Sequence, residues 1–244
     1  MNVSSTSILV FIVGTVFYFG FLLLLPKNLH MITHILYLLS TVTIQTIFSN
    51  FHLRTMCGTS SFKPLFMWSI LPWFFIFVSI KALLRMFPTW KMPFSNTFGY
   101  VIVSLFGINR IMTNLLKSKF KTDDKELNRA LSNIFEDKTL LINQFTPDNF
   151  DRAMGRIQKI LDTTQEGYAD LVEQLRFRVT LKDYISQFMW LILTGLLTIS
   201  ISNMGILSTE CVKSPEQIES EVAAYEKRLE EKKSEIPTVY KIRE

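Results

Sequence analysis

The first 116 residues of this 244-residue chain contain no aspartate and no glutamate. Over the same stretch there are only seven cations: Lys27, Arg54, Lys63, Lys81, Arg85, Lys91 and Arg110. A water-soluble domain carries about a quarter charged residues of both signs, so this half cannot be the outside of a globule in water. Cysteine is scarce too. Two residues, Cys57 and Cys211, exclude a disulfide-built secreted scaffold. Nine glycines are few, and they form no G-x-G-x-x-G and no phosphate-cradling P-loop; G-x-S-x-G is also missing. No long basic run occurs, so the net charge of +5 is not a nucleic-acid footprint. The cations stand singly between apolar runs, where such residues face lipid phosphates. A hydrophobic share of 48% excludes disorder as a class.

Long apolar runs are what the chain does have. An α-helix rises about 1.5 Å per residue, so roughly 20 apolar residues cross a hydrocarbon core of ~30 Å. Residues 7–25 fit and stop at Pro26-Lys27. With no basic segment before them and no small-residue cleavage site after them, they read as an uncleaved anchor. A second run, 31–48, is uncharged but carries Ser40, Thr41, Thr43, Gln45 and Thr46. A third, 65–84, has Trp68 and Trp73 near its start and Pro72 where a kink is expected; Lys81 and Arg85 are expected to snorkel to the interface at its end. The last, 188–207, has Trp190 at its boundary. Within it Thr194, Thr198 and Ser202 recur every fourth residue and share one face. In lipid, close helix approach depends on small residues and hydroxyls, so this stripe reads as a helix-packing face. Hydroxyls bonding back to their own i−4 carbonyls are the alternative.

Residues 98–116 are ambiguous. After the helix-start cluster Pro93-Phe94-Ser95-Asn96-Thr97, they read as a fifth span broken by Asn109-Arg110, or as an interfacial or re-entrant helix. Charge favours the second reading. With four spans, Lys27 and the basic stretch from Lys81 to Lys121 share one side, and only Arg54 and Lys63 lie opposite. The positive-inside rule then puts both termini on the non-cytoplasmic side. Cys57 and Cys211 would face one compartment and could pair; with five spans the bilayer separates them. At two cysteines, free thiols are the default.

The predicted class is therefore all-α: four transmembrane helices, five if 98–116 crosses. The organisation is a transmembrane region over 1–92, an interfacial, re-entrant or extra helix over 93–116, and a polar helical hairpin or stalk over 117–186. The last span at 187–207 and an amphipathic helical tail at 208–244 follow. In the polar part, Asp123 or Asp124 can cap a helix carrying Leu127, Leu131, Ile134, Thr139 and Leu141. Thr146-Pro147-Asp148 is a second helix start. Behind it Phe150, Met154, Ile157 and Leu161 recur with helical spacing, and Tyr168, Leu171, Leu175 and Val179 continue it. In the tail, Ser214-Pro215-Glu216-Gln217 forms a capping box. The stripe Ile218, Val222, Tyr225 and Leu229 follows and ends before Pro237. It reads either as a solvated helix with a few apolar residues or as a partner-binding face.

Catalytic constellations are thin. His30 and His34 share a helix face but have no acid or cysteine beside them, and His52 stands apart. No metal, cofactor or catalytic residue is expected. Ion-coupled transporters hold a buried carboxylate or histidine relay, and the spans carry no acid, so coupled transport is disfavoured. A pore lined by the Thr194/Thr198/Ser202 stripe of an oligomer stays open.

Two segments carry a resemblance. Trp90-Lys91-Met92-Pro93-Phe94-Ser95-Asn96-Thr97-Phe98-Gly99-Tyr100 is one. The other is Asn203-Met204-Gly205 with Cys211, Ser214, Glu219 and Ala224-Tyr225-Glu226. Together they resemble multi-pass membrane proteins of the nucleocytoplasmic large DNA viruses, the chlorovirus and mimivirus groups. The resemblance implies a non-enzymatic virion component, in the internal membrane or between it and the capsid shell. The implied partners are the bilayer, capsid or other virion membrane proteins, and copies of itself, with no nucleic acid. The implied site is an internal virion membrane or a host endoplasmic-reticulum-derived one. A viroporin-like channel or a membrane-remodelling protein is the alternative function.

Overall fold

The computed structural model describes residues 3–58, 60–116, 125–211 and 215–235. Asp123, Asp124, Ser214 and Pro237, which the sequence marks as helix caps and stops, lie outside these residues. The described chain is helical throughout. Its elements are α1 (Val3–Leu24), α2 (His30–Cys57), α3 (Phe62–Met86), α4 (Pro88–Leu105) and α5 (Ile108–Leu115). They continue with α6 (Lys125–Glu136), α7 (Thr139–Ile142), α8 (Phe150–Ile157), α9 (Tyr168–Leu207) and α10 (Pro215–Glu235). Among the described residues there is no strand, only an isolated bridge between Leu116 and Leu161.

Helices α1, α2, α3 and α9 are long and apolar enough to cross a membrane, so this is an all-α multi-pass membrane fold. They gather around α9, whose 40 residues make a rod of about 60 Å. Leu9, Val13, Phe17 and Leu24 of α1 are exposed, as lipid-facing residues must be. Inside, the ring of Phe11 lies 5.6 Å from Trp73 and 6.2 Å from Phe77, and Phe19 meets Tyr184 and Phe188. A methyl group at Gly195 would overlap the Phe11 ring, and one at Gly205 would overlap Trp68. Glycine is therefore what lets α1 and α3 approach α9 so closely.

Two helices differ from their sequence-predicted outlines. α2 continues past residue 48 to Cys57, where Gly58 takes φ 71° and closes it with a left-handed cap. At Pro72 the α3 helix continues through wide π turns at Phe66–Ile70 and Trp73–Val78. These turns absorb the hydrogen bond that proline cannot make.

Residues 98–116 do not add a crossing. Cys57 and Cys211 form a disulfide, with Cα atoms 5.2 Å apart. The chain between them must therefore cross an even number of times, and α3 and α9 already supply two. From the end of α3, α4 continues in the same direction and follows α9 outward, antiparallel to it. The Trp190 indole donates to the Trp90 carbonyl at 3.0 Å, and Gly99 lies directly beneath the Lys182 carbonyl. At Phe106-Gly107 the path bends by 83° into α5, with Gly107 at φ 82°. Tyr100 and Asn109 bridge the bend at 3.2 Å.

Beyond the bend a second core forms. Val103, Ile108, Met112 and Leu115 pack with Ile142, Phe145, Phe150, Leu161, Leu175 and Val179. The helical spacing of Phe150, Met154 and Leu161 and of Leu175 and Val179 thus serves a shared core on α9. Thr146 and Asn149 exchange hydrogen bonds (2.8 and 3.3 Å), so the chain turns there and α8 starts at Phe150, later than Thr146-Pro147 suggests. α9 starts after Gly167 at φ 80°.

Candidate functional site

Three places carry polar or reactive groups in number. The first is the hydroxyl stripe of α9. Thr194, Thr198 and Ser202 are 5%, 0% and 4% exposed, all inside the bundle of this one chain. Thr194 donates to the Trp190 carbonyl at 2.7 Å, and Thr198 donates to the Thr194 carbonyl at 2.8 Å. The two readings of the stripe thus coexist: the residues pack, and two of them bond back along the helix.

The second place is the end of the bundle where α1 meets α2. Tyr18 and Tyr37 stack with ring centroids 4.0 Å apart. The Tyr37 hydroxyl pairs with Thr15 at 2.9 Å, and the Tyr18 hydroxyl pairs with Nδ1 of His34 at 2.8 Å. His30 lies beside His34, and its Nε2 reaches the Leu25 carbonyl at 3.0 Å. Lys81, expected to snorkel, turns inward: its Nζ sits 4.9 Å from the Tyr18 ring and 5.3 Å from the Tyr37 ring, a cation–π contact with both. Arg85, one turn on, is exposed. His52 is 22 residues beyond His30 on α2, about 33 Å away along the axis, so the three histidines do not converge. Among the described residues no group of three His, Cys, Asp or Glu side chains is placed to share a metal.

The third place joins the bundle to the outer core, and local spacing did not mark it. Lys182 is 1% exposed and donates to the Ile142 carbonyl at 3.0 Å; its neighbour Asp183 pairs with Lys91 at 2.7 Å. Ser186 donates to the Lys91 carbonyl. Apart from Gln187, whose side chain donates to Asp183 from one helical turn on, the partners lie far away in sequence. The only local hint is a Lys-Asp pair close to an apolar run. On the outer surface Arg176 covers the Phe150 ring and binds Asp151, and its guanidinium holds the Asp151 carboxyl below the usual range.

At the opposite end, Cys57 and Cys211 close α2 onto the end of α9. An open cleft of about 570 Å³ adjoins the bond, lined by Leu53, Lys63, Trp68 and Glu210 among others. The tail helix α10 follows. Ile218, Val222, Tyr225 and Leu229 are 40–64% exposed, and nothing in the described chain covers them.

These features define a multi-pass helical membrane protein with an extramembrane helical core on one end and a bare amphipathic helix on the other. The chain matches no known protein family, no curated protein and no solved structure.

Proposed function

We propose that this protein is a structural, non-enzymatic component of a membrane, and that it links that membrane to protein layers beside it. One observation carries the reading: a single unbroken helix, α9, runs through the outer core and the bilayer bundle and ends at Leu207, just before the Cys211 disulfide that precedes α10. Such a rod transmits force and position from one side to the other. The uncovered stripe Ile218, Val222, Tyr225 and Leu229 is the contact for a partner helix or groove. What the resemblance of residues 90–100 and 203–226 to proteins of large DNA viruses implies is kept as part of this proposal: a virion internal membrane as the site, with capsid or neighbouring membrane proteins as partners. Both the basic loops and the disulfide support one orientation, with the outer core cytosolic and α10 away from the cytosol. The pore reading gains no support, because the Thr194/Thr198/Ser202 face is used up within one bundle.

A photo-crosslinking residue at Val222, with one at Lys227 on the opposite face of α10 as an off-stripe control, tests this in purified particles. A discrete protein adduct from Val222 alone supports the linker. Absence of the protein from particles, or equal adducts from both positions, overturns it.

A further inference from the structure

Among the described residues Lys81 forms no ion pair. The first 116 residues hold no carboxylate, and Asp183 on α9 is taken by Lys91 and Gln187. Around Lys81 the charge is all of one sign. Lys81, His30 and Arg85 lie within electrostatic reach of the His34 ring, and Lys27 opens the turn between α1 and α2. An ammonium withdrawn from water needs a counter-charge, and like charges alone would expel it. The aromatic faces of Tyr18 and Tyr37 offset only part of this cost.

α2 and α3 approach each other closely around residues 62–70, at the disulfide end, while α3 packs on α9 along its whole length. Toward the basic end the space between α2 and α3 is spanned by side chains: the Tyr37 and Phe77 rings are 6.2 Å apart, and Lys81 lies one helical turn beyond Phe77. The flanks are apolar and lipid-facing, with Ile35, Leu36 and Phe74 exposed. A ligand seated here has its charge at Lys81 and its apolar part against these helices.

We infer that this end of the bundle binds the phosphate of an anionic lipid headgroup, with Lys81 as the inner contact and Arg85, His30 and Lys27 at the rim. Free phosphate shares the chemistry but lacks acyl chains, so the two sources can be told apart.

The test uses the full chain purified in detergent. Binding is read by native mass spectrometry and by tryptophan-fluorescence melting, with dioleoyl phosphatidic acid, dioleoyl phosphatidylcholine or inorganic phosphate added. The anionic lipid is expected to bind roughly tenfold more tightly than phosphatidylcholine. Lys81→Gln should remove that preference, Lys81→Arg should keep it, and Lys63→Gln, at the far end, should leave it unchanged. If Lys81→Gln does not fold, Arg85→Gln and His30→Gln together serve instead, with an expected loss of about fivefold. Equal binding of both lipids, or an unchanged preference in the Lys81→Gln protein or in that double variant, overturns the site. Inorganic phosphate matching the lipid overturns the lipid assignment.

Discussion

Serine at both Cys57 and Cys211 removes a crosslink that spans 154 residues. In the chain-entropy account, a loop of that length restricts the unfolded state by about 5 kcal/mol. Helices α3 and α9 persist in an unfolded membrane chain, so about half of the loop is effectively rigid. Because the dependence is logarithmic, that lowers the figure by only about 0.6 kcal/mol. The expected destabilisation is therefore about 4 kcal/mol, which for a chain of this size is a drop of roughly 10 °C in Tm. Circular-dichroism melting of detergent-purified wild type, oxidised or reduced, beside the double-serine protein reads it directly. Cys211 is exposed and the adjoining cleft is open, so reductant should reach the bond in the folded protein. Reduced wild type and the variant should then melt together, both below the oxidised form. If all three melt within about a degree of one another, the disulfide is not the clasp described here.

Two further outcomes follow from particular contacts. Gly195→Ala drives a methyl group into the buried Phe11 ring and should cost about 1–3 kcal/mol, whereas Gly14→Ala, with nothing within 4 Å, should be close to neutral in the same melting assay. Asp151 is held below the ordinary carboxyl pKa by its hydrogen bond from Arg176. Its contribution is therefore present above about pH 4 and lost as pH falls through its lower folded value. Measured against the intrinsic exchange rate at each pH, protection of the α8 amides should fall on acidification in that window, and Asp151→Asn should abolish that pH dependence while showing lower protection already at neutral pH.

Much of the membrane fold was legible because lipid imposes a coarse demand: runs of about 20 apolar residues show in composition alone. The stripes through Phe150 and Leu175 were legible because one face of a helix repeats every three or four residues. Other features depend on partners distant in sequence. Residues 98–116 looked capable of crossing, yet Gly107 bends them into a core completed by residues 142–179. Lys81 is spaced like a snorkelling lysine, but its rotamer is set by Tyr18 and Tyr37 on two other helices. Lys182 and Asp183 read locally as a charged helix turn, and only Lys91 and Ile142 make them interior. The tail stripe is the converse case. Its pattern is plain in the sequence, and nothing in the described chain covers it.

The central claim is that four crossings place Cys57 and Cys211 together on one side, with the core formed by residues 103–179 on the other. Sealed vesicles treated with a membrane-impermeant maleimide after mild reduction test this most directly. Single-cysteine chains retaining only Cys57, only Cys211, or only a new thiol from Asn143→Cys are compared. Cys57 and Cys211 should label or be protected alike, and the Asn143→Cys thiol should behave oppositely. Opposite labelling of Cys57 and Cys211 would contradict the account.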